Sequence, residues 1–159
     1  MSALDTNTGA ELRDLYRELI LDHARNPRHF GKLENATHSA EGINPLCGDK
    51  LKVYMSIDAD NTISDIAFEG SGCAISIASA SLLTETVIDL QVPRALDYFS
   101  AITRRMSGDT SAEDEHLQLD KLLALEGVRD FPSRIKCATL AWHALNSALH
   151  THALPVSTE

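Results

Sequence analysis

"LKVYMSIDADNTISDIAFE", Leu51 to Glu69, is the stretch from which the fold is read. Leu51, Val53, Met55 and Ile57 alternate with Lys52, Tyr54, Ser56 and Asp58, a period of two that predicts a half-buried strand. Ala59 to Asn61 supplies turn residues, and Thr62 to Glu69 returns as a second strand. Upstream, Ala36 to Ile43 is read as a third strand. Beyond the hairpin the period becomes helical. Over Glu11 to His23, Leu12, Leu15, Tyr16, Leu19 and Ile20 form one apolar stripe, which Pro27 ends. Ala74 to Leu90 is rich in Ala, Ser, Leu and Ile, a helix with a close-packing face. Pro93 opens another helix to about Met106, and a short one is expected over Leu117 to Leu125. Ser133 to His150 carries Ile135, Ala138, Trp142, Leu145 and Leu149 on one face. Ser107 to His116, "SGDTSAEDEH", reads as an exposed acidic loop. The expectation is one α+β domain over residues 1–159, a small antiparallel three-stranded sheet packed with helices on one side, with residues 1–10 and 151–159 flexible.

Composition narrows the function. A chain of 159 residues with 43% hydrophobic content can bury a core. Acids outnumber bases 23 to 14, a formal charge of -9, which argues against nucleic-acid binding because phosphates need a basic face. The N-terminal "MSALDTNTGAELRD" has no apolar run and no stretch approaches a membrane span, so neither a leader nor a membrane partner is expected. The three cysteines, Cys47, Cys73 and Cys137, are odd in number and far apart. That argues against a disulfide framework and leaves metal binding, catalysis or burial, with the cytoplasm as the expected compartment.

"NPLCGD", Asn44 to Asp49, joins a thiol to a carboxylate on a loop just before a strand. Cys73 lies between a strand end and a helix start, and Cys137 lies in the first turns of the last helix. Unpaired amides and the macrodipole at such helix ends favour a thiolate. Converged, these positions would offer three sulfurs and the Asp49 oxygen, a tetrahedral complement for zinc. Taken singly, a cysteine reads first as a small buried hydrophobe, Cys47 less so because it stands between Pro45 and Asp49, and Asp49 reads first as a turn or cap residue. His23, His29, His38 and His116 read as surface or turn residues, and His150 and His152 belong to the tail. His143 lies about 240° round the helix from Cys137 and points away. Lys136 is either a solvated cation or a charge favouring the neighbouring thiolate. Arg134 either pairs with Asp49 when that carboxylate leaves a metal, or is solvated.

Four segments together resemble one family. "LYRELILDHARNPRHFG" (Leu15 to Gly31), "NPLCGD", "GSGCAISIASAS" (Gly70 to Ser81) and "FPSRIKCATLAWHAL" (Phe131 to Leu145) are similar to the U-type iron-sulfur cluster assembly proteins. These form the IscU/NifU N-terminal superfamily, and the likeness is greatest to its SufU branch. The resemblance implies a SufE/IscU-like fold and metal ligands at Cys47, Asp49, Cys73 and Cys137. It also implies zinc as cofactor and a cysteine desulfurase of the SufS type as partner, with cluster scaffold proteins as downstream partners. Two departures from the IscU pattern stand out. Lys136 occupies the place of a histidine, and "FPSRI" replaces the chaperone-recognition segment.

The expected function is therefore a zinc-dependent sulfur acceptor with sulfurtransferase-like activity in iron-sulfur cluster biogenesis. Cys47 is the residue expected to take the sulfur. Resemblance to the SufU branch implies that a histidine of the desulfurase displaces Cys47 from zinc, freeing its thiolate to attack the persulfide. The alternative is a scaffold on which an iron-sulfur cluster is assembled and passed to apo-proteins, since thiolates suit both. A purely structural zinc site fits less well, because such sites are usually closed by Cys and His.

Overall fold

The computed structural model describes residues 2–109, 117–150 and 156–157. The hairpin forms as its alternation requires. Strand β2 (Asp49–Ile57) pairs antiparallel with β3 (Ile63–Ser71), placing Val53 opposite Phe68 and Met55 opposite Ile66. Those four side chains and Leu51 are fully buried on the face that receives the helices. At the tip, the Asp58 carboxylate accepts from the amides of Asp60 and Thr62, and Asn61 takes a left-handed φ of 63°. Asn tolerates that conformation because its short side chain bonds locally.

β1 (His38–Asn44) pairs antiparallel with the other edge of β2 and ends with Asn44 opposite Asp49. The three antiparallel strands expected are present, and a two-residue segment, β4 (Val156–Ser157), adds in parallel to β1. Period-two patterning has no purchase on two residues, so this addition was not legible in the sequence. Residues 2–10, expected as a flexible end, continue the first helix, whereas 151–155 and 158–159 lie outside the described residues. Of the acidic loop, 110–116 also lie outside them.

Helix α1 (Ser2–Arg25) packs on α2 (Ala74–Val87), and α4 (Pro132–Leu149) covers β1 and β2 while leaning on α2. α3 (Val92–Met106) lies against α4. The small face of α2 makes this stacking possible. Ser76, Ala78, Ser79, Ala80 and Ser81 are all buried, and the Ser79 hydroxyl donates to the Ala138 carbonyl on α4 at 2.5 Å. The Trp142 indole N–H in turn donates to Ser79 Oγ at 3.2 Å, so the buried tryptophan is both packed and satisfied. Burying each large apolar side chain of this core stabilises the fold by about 1.5–3 kcal/mol.

Two expectations are corrected. The short helix predicted over Leu117 to Leu125 is a 3₁₀ segment over Asp120–Val128. Leu119, Leu122, Leu125 and Val128 are buried at intervals of three, the period of a 3₁₀ rather than an α-helix. His23 is not a surface residue but fully buried. It lies three positions beyond Ile20 on the inward stripe of α1, and its Nδ1 shares a 2.7 Å hydrogen bond with Ser81 on α2. Its Nε2 lies 3.3 Å from Glu85 Oε1 without forming a hydrogen bond. Burial, followed by the nearby Arg28 charge, holds the His23 pKa below its ordinary value, outweighing Glu85 and Asp22. His23 is therefore a neutral ring in a core junction.

Candidate metal centre

The β1–β2 turn, the β3–α2 junction and the start of α4 meet at one end of the sheet. Cys47 sits at the exposed tip of the β1–β2 turn, where its amide donates to the Asn44 carbonyl at 3.3 Å. Gly48 follows with a φ of 70°, a left-handed value that glycine adopts without strain and that sends the chain back into β2. Asp49, the first residue of β2, is buried. Its Oδ1 accepts from the Cys73 amide at 2.8 Å, at the N-terminus of α2. Its Oδ2 is buried with no hydrogen-bond partner.

Cys137 is buried in α4, and its Sγ lies 3.4 Å from Cys47 Sγ. That separation is a contact between two thiols, far longer than the roughly 2.05 Å of a disulfide. One ligand atom from each of Cys47, Asp49 and Cys137 lies within 4.8 Å of the other two. Cys73, half-buried, is not part of this group, but its side chain also reaches Cys137. Burial, then contacts with Cys47, Asp49 and Cys73, push the Cys137 thiol well above its usual range. An isolated thiolate there would be costly, and a cation among these groups would reverse that cost.

Two further features fit a divalent ion. The bare Asp49 Oδ2 is a buried acceptor waiting for a positive partner, which general experience of buried polar atoms makes unusual. Gly72 leaves room for the carboxylate: a Cβ there would stand 2.8 Å from Asp49 Oδ1 and 2.3 Å from Ser76 Oγ. Three sulfurs and one carboxylate oxygen are a donor set that zinc accepts.

The other residues singled out from sequence fall as follows. Arg134 is exposed, and among the described residues no ion pair joins it to Asp49. It lines a cavity of about 480 Å³ together with Arg13, Tyr16, Arg17 and Cys73. Lys136 is half-buried. His143 turns away as expected, packing edge-on to Phe99 with centroids 5.4 Å apart. Leu46, beside Cys47 on the turn, and Phe131, at the N-cap of α4, are 68% and 55% exposed. The residue that sequence reading passed over is Asn44, whose Nδ2 donates to Cys137 Sγ at 3.6 Å. Its place as the first letter of "NPLCGD" was the one available signal.

The α+β scaffold thus gathers two thiols and a carboxylate, Cys47, Cys137 and Asp49, into a group that could hold a metal ion. The chain belongs to the family described as NifU-like N terminal domain, which matches residues 15–153. It is 41% identical over 140 residues to the zinc-dependent sulfurtransferase SufU of Bacillus subtilis, covering 88% of this chain and 92% of that protein. It is 38% identical over 144 residues to the iron-sulfur cluster assembly scaffold protein IscU of Streptococcus pyogenes, covering 91% and 88%. A crystal structure of a proposed iron-sulfur cluster assembly scaffold protein for the SUF system from Fervidobacterium islandicum matches with a TM-score of 0.73 at 33% identity, covering 83% of this chain and 94% of that one.

Proposed function

We propose that this protein is a zinc-dependent sulfur acceptor that takes persulfide sulfur from a cysteine desulfurase of the SufS type and hands it on for iron-sulfur cluster biogenesis. The observation that carries this reading is the asymmetry of the two touching thiols: Cys47 is exposed on a turn, while Cys137 is buried in a helix. Cys47, Asp49, Cys73 and Cys137 would hold the ion. When bound, zinc keeps thiols deprotonated at neutral pH and, being redox-silent, leaves a persulfide intact.

The chain's own residues do the rest. The Cys47 thiolate attacks the terminal sulfur of the donor persulfide; a new S–S bond forms on Cys47, the donor's S–S bond breaks, and the donor cysteine leaves as a thiolate. No net oxidation occurs and no further reactant is needed. Asp49 and Cys137, both buried, stay in place during the exchange. Arg134, which lines the same cavity as Cys73, would steady the Asp49 carboxylate once the turn moves. Leu46 and Phe131 offer apolar contacts to the desulfurase, and the three arginines of the adjacent cavity offer it positive charge on an otherwise acidic chain. Among the described residues no helix is long and apolar enough to cross a membrane.

The test is the desulfurase assay. Cys47→Ala should abolish stimulation of the desulfurase while the far-ultraviolet circular dichroism is unchanged; full stimulation by that variant refutes the acceptor assignment. The similarity to an assembly scaffold favours a second reading, in which the same donors hold an iron-sulfur cluster. Anaerobic reconstitution separates the two: a stable, transferable chromophore supports the scaffold, and a colourless protein with one zinc supports the acceptor.

A further inference from the structure

Asn44 touches both cysteines of the pair, and differently: the backbone of Cys47 and the sulfur of Cys137. Its backbone carbonyl accepts from the Cys47 amide at 3.3 Å, which shapes the turn. Its side-chain amide is fully buried and donates from Nδ2 to Cys137 Sγ at 3.6 Å. The Cys137 thiol is placed in turn to donate to Cys47 Sγ at 3.4 Å, so the donors run in one direction, from Asn44 through Cys137 to Cys47. Asn44 Oδ1 is buried without a partner. A buried amide with one end unpaired is disfavoured unless its other end does something that an apolar residue could not.

We propose that Asn44 is a positioning residue that distinguishes the two sulfurs, fixing Cys137 as the retained donor and leaving Cys47 as the donor free to depart. An N–H···S bond draws charge from the sulfur that receives it. That stabilises the Cys137 thiolate where no water reaches it and lowers its nucleophilicity. Among the described residues no side-chain amide reaches Sγ of Cys47, which is exposed at the turn. Its sulfur therefore keeps its full electron density and faces solvent. The register makes the device specific, because Asn44 is opposite Asp49 at the close of the hairpin and so travels with the rigid sheet, not with the turn. Partners of this kind orient ligands, and their loss typically costs about 10–100-fold in metal affinity. This inference rests on the metal-site reading above, but not on Cys47 being the acceptor.

The experiment uses the full chain with cobalt(II) as a spectroscopic probe and zinc in chelator competition. Asn44→Leu removes the amide while keeping the branched shape, and Asn44→Ser keeps a polar group too short to reach the sulfur. In whichever variants fold by circular dichroism, the sulfur-to-cobalt charge-transfer band should move to longer wavelength, since an unbonded thiolate gives up charge more readily. Zinc affinity should fall by about 10–100-fold. An unshifted band with affinity within about twofold of the parent, in a folded variant, overturns the role of Asn44. A parent chain that shows no sulfur-to-cobalt band overturns the metal site and this inference together. A parent that shows it, with a Cys47→Ala variant that still stimulates the desulfurase, refutes only the acceptor assignment.

Discussion

Gly72→Ala tests how tightly the Asp49 carboxylate is seated. The new methyl carbon would stand 2.3 Å from Ser76 Oγ and 2.8 Å from Asp49 Oδ1. The Ser76 hydroxyl can rotate away, losing its 2.9 Å bond to the Cys73 carbonyl. Asp49 has no such freedom, because it is buried and its Oδ1 holds the Cys73 amide. Pushing it aside forfeits a hydrogen bond to a charged group, about 1.5–3 kcal/mol, and adds an overpacking cost of about 1–3 kcal/mol. These overlap, so the expected loss is about 2–4 kcal/mol, a large fraction of the roughly 5–15 kcal/mol that holds a domain together. At about 2–4 °C per kcal/mol for a chain of this size, the metal-free protein should melt roughly 4–16 °C lower. Thermal unfolding followed by circular dichroism measures this, with Gly127→Ala as the control, since a Cβ at Gly127 meets nothing within 4 Å. Zinc affinity should fall as well, because the same oxygen pair is displaced. A Gly72→Ala protein that melts within about 2 °C of the parent and binds zinc equally would refute the reasoning.

Removing zinc from the purified protein should lower the melting temperature, because ligand binding to the folded state alone stabilises it, by about 2.7 kcal/mol at a hundredfold excess over Kd; a melting temperature indifferent to chelation would count against the site. Stability should also fall as pH drops below 6.5, the ordinary value from which burial lowers both His23 and His143. The folded-state pKa of His23 is depressed, so in acid the unfolded chain takes up a proton that the folded chain refuses; the contribution is complete above the ordinary pKa and is lost progressively below it. His23→Gln, which keeps a polar group facing Ser81, should flatten the dependence of the urea midpoint on pH over that window, and an unaltered slope would contradict the buried neutral ring.

The sheet was readable because alternation over Leu51 to Ile57 has one physical meaning, a surface with one wet and one dry face. The 3₁₀ segment was not, because Leu119, Leu122 and Leu125 at intervals of three satisfy the start of an α-helical stripe equally well over so short a run. His23 misled because histidine is amphipathic, and only its packing against Ser81 of α2, 58 positions away, decides its burial. The site followed the same division. Residue types proposed thiolate and carboxylate chemistry, and only the folded chain brings Cys47 within 3.4 Å of Cys137, 90 positions on. Asn44 stood out in the sequence only as the first letter of "NPLCGD", since an asparagine before a proline reads as an ordinary turn former.

Trp142 is the chain's single tryptophan, and it is wedged between α4 and α2 instead of facing the cysteine turn. Its emission thus reports whether the two helices stay locked and is blind to local opening at Cys47. A partner that merely borrows the turn should leave that fluorophore dark to the event, while any blue or red displacement on docking would signal that the helix pair itself has shifted.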